Sequence, residues 1–157
     1  MEIRPIDKVD HHWLEKLWIK TWGSKEMVSK GKKVQLSGQR GYVVHDAQVP
    51  VGFITYNIGD GELEITSLLS LKANRGIGRM LIDGVVESAK LSNVSRIWVV
   101  TTNDNTHALA YYQKRGFVIK EIRTDVMKKY RELKPEIPLT GENGIPIRDE
   151  IELEYML

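Results

Sequence analysis

Two glycines at the start of a patterned helix are the first residues here that call for a chemical reason. Gly76 and Gly78 stand in the run Asn74-Arg75-Gly76-Ile77-Gly78-Arg79-Met80-Leu81. Each glycine in a helix costs up to about 1 kcal/mol relative to alanine. A first turn without side chains exposes backbone N–H groups, and the positive end of the helix points at whatever sits before it. Arg75 and Arg79 flank the glycines and add cations suited to a pyrophosphate. The same glycines would also let the helix pack closely on its strand, so spacing alone leaves a phosphate cradle and a packing turn both open. Other phosphate motifs fit worse. A dinucleotide fingerprint needs a third glycine where Leu81 stands, and the Gly-Lys-Ser/Thr ending of a Walker loop is absent. Nicotinamide and nucleotide-hydrolysis readings fall away.

Candidates for acid–base work are fewer. The chain has no cysteine, which removes disulfides, cysteine-ligated metals and any acyl-cysteine intermediate. His11, His12, His45 and His107 show no HExxH-type spacing, so no metal site is expected. Glu62 and Glu64 fall on one face of a strand, roughly 7 Å apart by strand geometry.

The elements that must position these residues follow from periodicity. Residues 2–6 read as a short strand, and 10–22 as a helix with Trp13, Leu14, Leu17 and Trp18 on one face. The segment from Lys25 to Gln39 is polar and reads as a mobile connection with at most one helical turn. Strands are expected at 41–46 and 50–58, joined tightly through Asp46-Ala47-Gln48. Gly59-Asp60-Gly61 signals a turn. In the strand 62–71, Leu63, Ile65, Ser67, Leu69 and Leu71 share one face, and Glu62, Glu64, Thr66, Leu68 and Ser70 the other. The helix 75–91 repeats Ile77, Leu81, Val85 and Ala89 every four residues. Residues 95–102 read as a strand buried on both faces. A short helix at 105–115 has Asn105 as N-cap and Gly116 as its C′ residue. Phe117–Ile122 resumes as strand, 125–134 is weakly helical, and a loop rich in proline and glycine follows. In a last strand Ile151, Leu153 and Tyr155 alternate with Glu150, Glu152 and Glu154. The class is α/β with a mixed sheet: antiparallel hairpins flank one parallel strand–helix–strand unit.

At 157 residues the chain fits one domain, 1–157. Its formal charge of +2 is nearly balanced, and the basic runs Lys30/Lys32/Lys33 and Lys128/Lys129/Arg131 lack interleaved aromatics. They read as solvated surface, and no nucleic-acid partner is expected. The start Met1-Glu2-Ile3-Arg4-Pro5 carries no apolar signal segment, and no apolar run approaches the roughly 18 residues of a membrane span. No membrane partner is expected, and a cytoplasmic location is the default. Oligomeric state stays open, with a homodimer among the options.

The run Asn74–Leu81 resembles the acetyl-CoA pyrophosphate loop of GNAT acetyltransferases, Q/R-x-x-G-x-G/A. About thirty residues later, Asn105-Thr106-His107-Ala108-Leu109-Ala110-Tyr111-Tyr112-Gln113-Lys114-Arg115-Gly116-Phe117 resembles that family's second signature, N-x-x-A-x-x-x-Y-x-x-x-G-F. Val51-Gly52-Phe53-Ile54 is similar to its third strand, so the likeness runs from about residue 2 to residue 123. Two departures stand out. Ala73 occupies the usual Gln/Arg position, and the strand-to-glycine connection is one residue short.

The resemblance implies direct transfer of an acetyl group from acetyl-CoA to a primary amine of a small molecule or a protein. An oxyanion donor would be a backbone N–H near Leu69, Ser70 or Leu71. The pyrophosphate would rest on amides of Gly76, Ile77, Gly78, Arg79 and Met80, with Arg75 or Arg79. Asn105 would touch the pantetheine amides as well as cap its helix. Tyr112 would protonate the departing thiolate; the alternative for Tyr112 is a core tyrosine, and Tyr111 points about 100° away around the helix. Glu64 is the choice for general base, against a solvent-facing strand carboxylate. His107 reads as surface. Acceptor selection is expected in the segment up to Gln39 and in 124–148. Trp13, Trp18 and Trp22 could line an acceptor groove or fill the core. The acids Glu142, Asp149 and Glu150 could attract an amine or face water. The rivals are a non-catalytic acyl-CoA-binding module and, more remotely, a nucleic-acid-binding domain using the lysine clusters.

Overall fold

A computed structural model describes residues 1–157. In chain order the first half comprises β1 (Glu2–Pro5), a 3-10 turn (Lys8–Asp10), α1 (His11–Trp22), β2 (Glu26–Ser29), β3 (Lys32–Gln35), β4 (Arg40–Asp46), β5 (Val49–Gly59) and β6 (Glu62–Ser70). The second half comprises α2 (Ile77–Leu91), β7 (Arg96–Thr102), α3 (Thr106–Lys114), β8 (Val118–Arg123), α4 (Met127–Leu133) and β9 (Glu150–Met156). Residues group into two units. One holds Met1–Leu14, Leu36–Ile97 and Met156–Leu157; the other holds Glu15–Gln35 and Trp98–Tyr155. No helix is long and apolar enough to cross a membrane.

In the first unit β1, β4, β5 and β6 lie side by side and antiparallel. Turn chemistry explains the pairing. Ala47 and Gln48 between β4 and β5, and Asp60 and Gly61 between β5 and β6, all have positive φ, as tight two-residue hairpins require. The chain then crosses through α2 to β7, giving the expected strand–helix–strand crossover with β6 and β7 as the parallel pair.

β6 departs from the simple alternation predicted for it. Thr55 pairs with Ser67 and Tyr56 with Ile65, leaving Thr66 as an extra residue, a β-bulge. Thr55 Oγ1 bonds both Thr66 Oγ1 (2.8 Å) and Ser67 Oγ (2.5 Å), so these two neighbours project to one side. Beyond the bulge the faces exchange. Glu64, opposite Asn57, therefore shares a face with Thr55, Ser67, Phe53 and Leu69, not with Leu68 and Ser70. Trp13 meets Phe53 edge-on at 5.8 Å, which puts the first turn of α1 on that face.

α2 covers the other face. Ile77 and Leu81 lie against Gly52, and Gly84 lies beside Ile3 and Tyr42. The fit at Gly52 has no slack. A Cβ there would stand 2.5 Å from Ile77 Cγ2 and 2.9 Å from the Leu69 carbonyl. Gly52→Ala is expected to destabilise the chain by about 1–3 kcal/mol, read as a lower urea midpoint; an unchanged midpoint would show that α2 yields.

In the second unit β9 lies between β7 and β8. The polar segment after α1 is ordered and is not a mobile connection. β2 and β3 form a separate antiparallel hairpin whose turn residues Lys30 and Gly31 have positive φ. Val28 packs on a cluster of Met127, Tyr130 and Ile147. β7 is also less enclosed than predicted. Ile97 and Val99 are buried, whereas Trp98 and Val100 are only half-buried.

Candidate active site

β6 ends where Leu71 N–H donates to the Val51 carbonyl at 2.8 Å. A turn through Asn74 (φ 58) leads to Gly76, which is left-handed at φ 74 and ψ 12 and is the N-cap of α2. Gly76 thus precedes the helix and does not weaken its first turn. Its glycine is explained by the left-handed backbone, and the helix-interior cost applies to Gly78 alone. The first ladder bond runs from Met80 N–H to the Gly76 carbonyl at 3.0 Å. No side chain caps the helix and no acid stands in its first turn. The N–H groups of Ile77, Gly78 and Arg79 precede the ladder, and the positive end of the helix is left without a negative partner from a cap.

Nearby side chains fall into two groups. Ile77 is core at 1% exposure, so it offers only its backbone; Met80 is half-buried. Arg79 is exposed, while Arg75 bonds Asp46 Oδ2 at 3.1 Å and Lys72 lies 3.6 Å from the same oxygen. Leu69 is half-buried, Leu71 is exposed, and Ser70 Oγ donates to the Lys72 carbonyl at 2.9 Å. Glu64 is buried, which removes the solvent-facing alternative, and Glu62 pairs with Arg96 at 3.0 Å.

The second signature lies in the other unit. Asn105 caps α3 by accepting the Ala108 N–H at 3.1 Å, and Gly116 follows the helix at φ 94. Tyr112 is buried, with its ring edge-on to Phe117 at 5.3 Å and to Tyr111 at 5.5 Å. Burial, and secondarily Tyr111, push its phenol above the ordinary range, so it stays protonated at neutral pH. Tyr111 instead stacks on exposed His107 and carries the Arg115 guanidinium 3.6 Å above its ring.

Residues 10–117, which hold both signatures, match the Acetyltransferase (GNAT) family model. The chain belongs to the GNAT acetyltransferase family. It is 41% identical over 152 residues to the uncharacterized protein YdhI of Bacillus subtilis, covering 96% of this chain and 95% of that one. Among solved structures it is similar to the IAA acetyltransferase from Bacillus cereus (26% identity, TM-score 0.69, 99% of each chain). It has the fold of a GNAT acetyltransferase from Elizabethkingia anophelis with acetyl-CoA bound (24% identity, TM-score 0.71, 99% of this chain and 97% of that one).

The GNAT match stops before a cluster that sequence reasoning missed. Glu150 and Glu152 on β9 are each 2% exposed, so Glu150 is neither a loop acid nor water-facing. Arg123 bridges them, from Nε to Glu150 Oε1 at 2.6 Å and from one terminal nitrogen to Glu152 Oε1 at 3.1 Å. Tyr130 OH donates to Glu150 Oε1 at 2.9 Å, and Lys30 N–H donates to Glu150 Oε2 at 3.1 Å. Burial and the Glu150 carboxylate push the Tyr130 phenol up to about 12. Arg123→Met leaves two buried carboxylates facing each other and is expected to cost about 3–5 kcal/mol, measured by urea unfolding. A loss below 1 kcal/mol, roughly the worth of a surface pair, would mean Arg123 does not hold the cluster. Elsewhere Glu142 is exposed, and Asp149 pairs with Arg148 at 2.8 Å. Trp18 is core, while Trp13 and Trp22 are half-buried.

Proposed function

We propose that this chain is an acetyl-CoA-dependent N-acetyltransferase that moves the acetyl group directly onto a primary amine. The observation that carries the reading is the uncapped start of α2 after left-handed Gly76, inside the residues that match the GNAT family. Three amides and a positive helix end, with no side-chain cap, suit a diphosphate. Among the solved relatives, the Elizabethkingia anophelis acetyltransferase has acetyl-CoA bound.

In the proposed reaction the neutral amine attacks the thioester carbonyl carbon. The C–N bond forms, the C–S bond breaks, and the thiolate leaves with a proton. Amides of Ile77, Gly78 and Arg79, with the Arg79 side chain and an Arg75 released from Asp46, hold the diphosphate; the Met80 N–H, expected among them, is spent on the Gly76 carbonyl. A backbone N–H at Leu69–Leu71 serves the oxyanion. Glu64 takes one proton from the incoming ammonium, Tyr112 gives its proton to the thiolate, and the second proton shed by the attacking nitrogen as the amide forms restores the Tyr112 phenol. The absence of cysteine agrees with direct transfer, because a thiol shuttle has no carrier.

Calorimetry on folded protein with acetyl-CoA and CoA tests the binding half, and CoA release over a panel of amines tests the chemistry. No binding of either ligand would overturn the reading. Binding without release for any amine would favour a non-catalytic acyl-CoA-binding module, against which the retained Tyr112 and Asn105 stand.

A further inference from the structure

The turn that leads into α2 shares its cations with a neighbouring hairpin. Asp46 closes β4 and is paired with Val49 across a two-residue turn in which Ala47 and Gln48 are both left-handed, at φ 50 and φ 69. Asp46 Oδ2 lies 3.1 Å from Arg75 Nη2 and 3.6 Å from Lys72 Nζ. Two cations therefore meet one oxygen, and the three side chains carry one net positive charge. The side chains of Lys72 and Arg75 are about half exposed, and that of Asp46 is 27% exposed. Ion pairs this open add little to the stability of a fold. This one adjoins the uncapped start of α2, because Arg75 immediately precedes Gly76.

An anion on the amides of α2 draws Arg75 toward it, and Asp46 draws Arg75 away. Holding both anions on one guanidinium would crowd like charges together. Lys72 removes that conflict, since it keeps Asp46 compensated when Arg75 moves. We propose that Lys72, Asp46 and Arg75 form a charge-exchange latch: Arg75 passes from Asp46 to the diphosphate as acetyl-CoA binds and returns when CoA leaves, with Lys72 holding Asp46 in between. This rests on the diphosphate reading of the cradle for its ligand, though the pairing in the free chain stands without it. No covalent bond changes, and one ion pair replaces another. The consequence is kinetic. Asp46 competes for Arg75 whenever the ligand loosens, so it speeds the release of CoA.

Calorimetry with CoA and stopped-flow dissociation of CoA test the latch on the whole chain. Asp46→Asn is expected to tighten CoA binding about fivefold, the scale of one exposed ion pair, and to slow dissociation by a similar factor. Should that variant not fold, Asp46→Ser makes the same comparison. In an Arg75→Gln background most of that gain should disappear; an equal gain there would reduce Asp46 to a diffuse negative field and overturn the latch. Lys72→Met should weaken CoA binding in the otherwise unaltered chain and lose that effect beside Asp46→Asn. A loss of equal size in both backgrounds would make Lys72 a direct ligand contact and overturn the exchange. Without ligand, the Arg75 Nε–H resonance, assigned by its loss in Arg75→Gln, should shift in Asp46→Asn. A resonance that stays put, or CoA bound no more tightly by the variant, would sink the proposal. Failure of the unaltered chain to bind CoA would instead overturn the diphosphate reading, and the resonance without ligand would still decide the pairing.

Discussion

Tyr112→Phe is expected to slow acetyl transfer by at least about a hundredfold, the lower range for losing a positioned general acid, with acetyl-CoA affinity unchanged. The change should leave the fold intact. Tyr112 is enclosed by Phe117 and Tyr111, contacts that a phenylalanine ring keeps, and only the hydroxyl is removed. Its phenol lies above the ordinary range because burial disfavours the phenolate. The proton is therefore in place throughout the neutral range, and rate is lost on the alkaline side only as the phenol ionises. Steady-state turnover, with calorimetric affinity measured alongside, checks the prediction. A variant with unchanged turnover would make Tyr112 a packing residue.

Gly78→Leu is expected to weaken acetyl-CoA binding by at least about a hundredfold, the cost of losing two amide bonds to a charged group. Gly78 sits in the first turn of α2 with amides on either side of it, and a branched side chain there would stand in the path of a diphosphate held as proposed. Stability should move the other way, because leucine in place of a helical glycine gains up to about 1 kcal/mol. The two readouts therefore separate a blocked cradle from a damaged fold. Tight binding in a folded Gly78→Leu chain would show that the start of α2 does not hold the ligand.

Much of the architecture was legible because it is written in local signals. The four-residue repeat from Ile77 to Ala89 marks α2, Asn105 caps α3 as its type suggests, and Asp60-Gly61 turns β5 into β6. The misses come from places where distant partners decide. In β2 and β3, Met27, Val28 and Val34 are too few to stand out among lysines, and the turn carries Lys30 where asparagine or glycine would have signalled a hairpin. Glu150 and Glu152 alternate with apolar residues and so read as a wet face. What buries them are Lys30 and Arg123, one of them 120 residues away and meeting Glu150 through its backbone. The bulge in β6 is hidden because Thr66 and Ser67 continue a plausible two-residue repeat. Gly76 stands just before the helix and not in its first turn, because sequence does not reveal which side of a helix boundary a glycine occupies. The roles of Tyr112, Glu64 and the cradle amides rest on the family likeness and on chemistry, and the variants above test them.

The extra residue at Thr66 makes β6 sensitive to length rather than to composition. Deleting it would close the strand into an unbroken pleat and rotate everything on its N-terminal side by half a turn. Glu62 and Glu64 would then be turned from the face that carries Phe53 to the opposite, apolar face that carries Leu68 and Ile54. In this strand a single-codon loss is a heavier insult than most replacements of the same threonine.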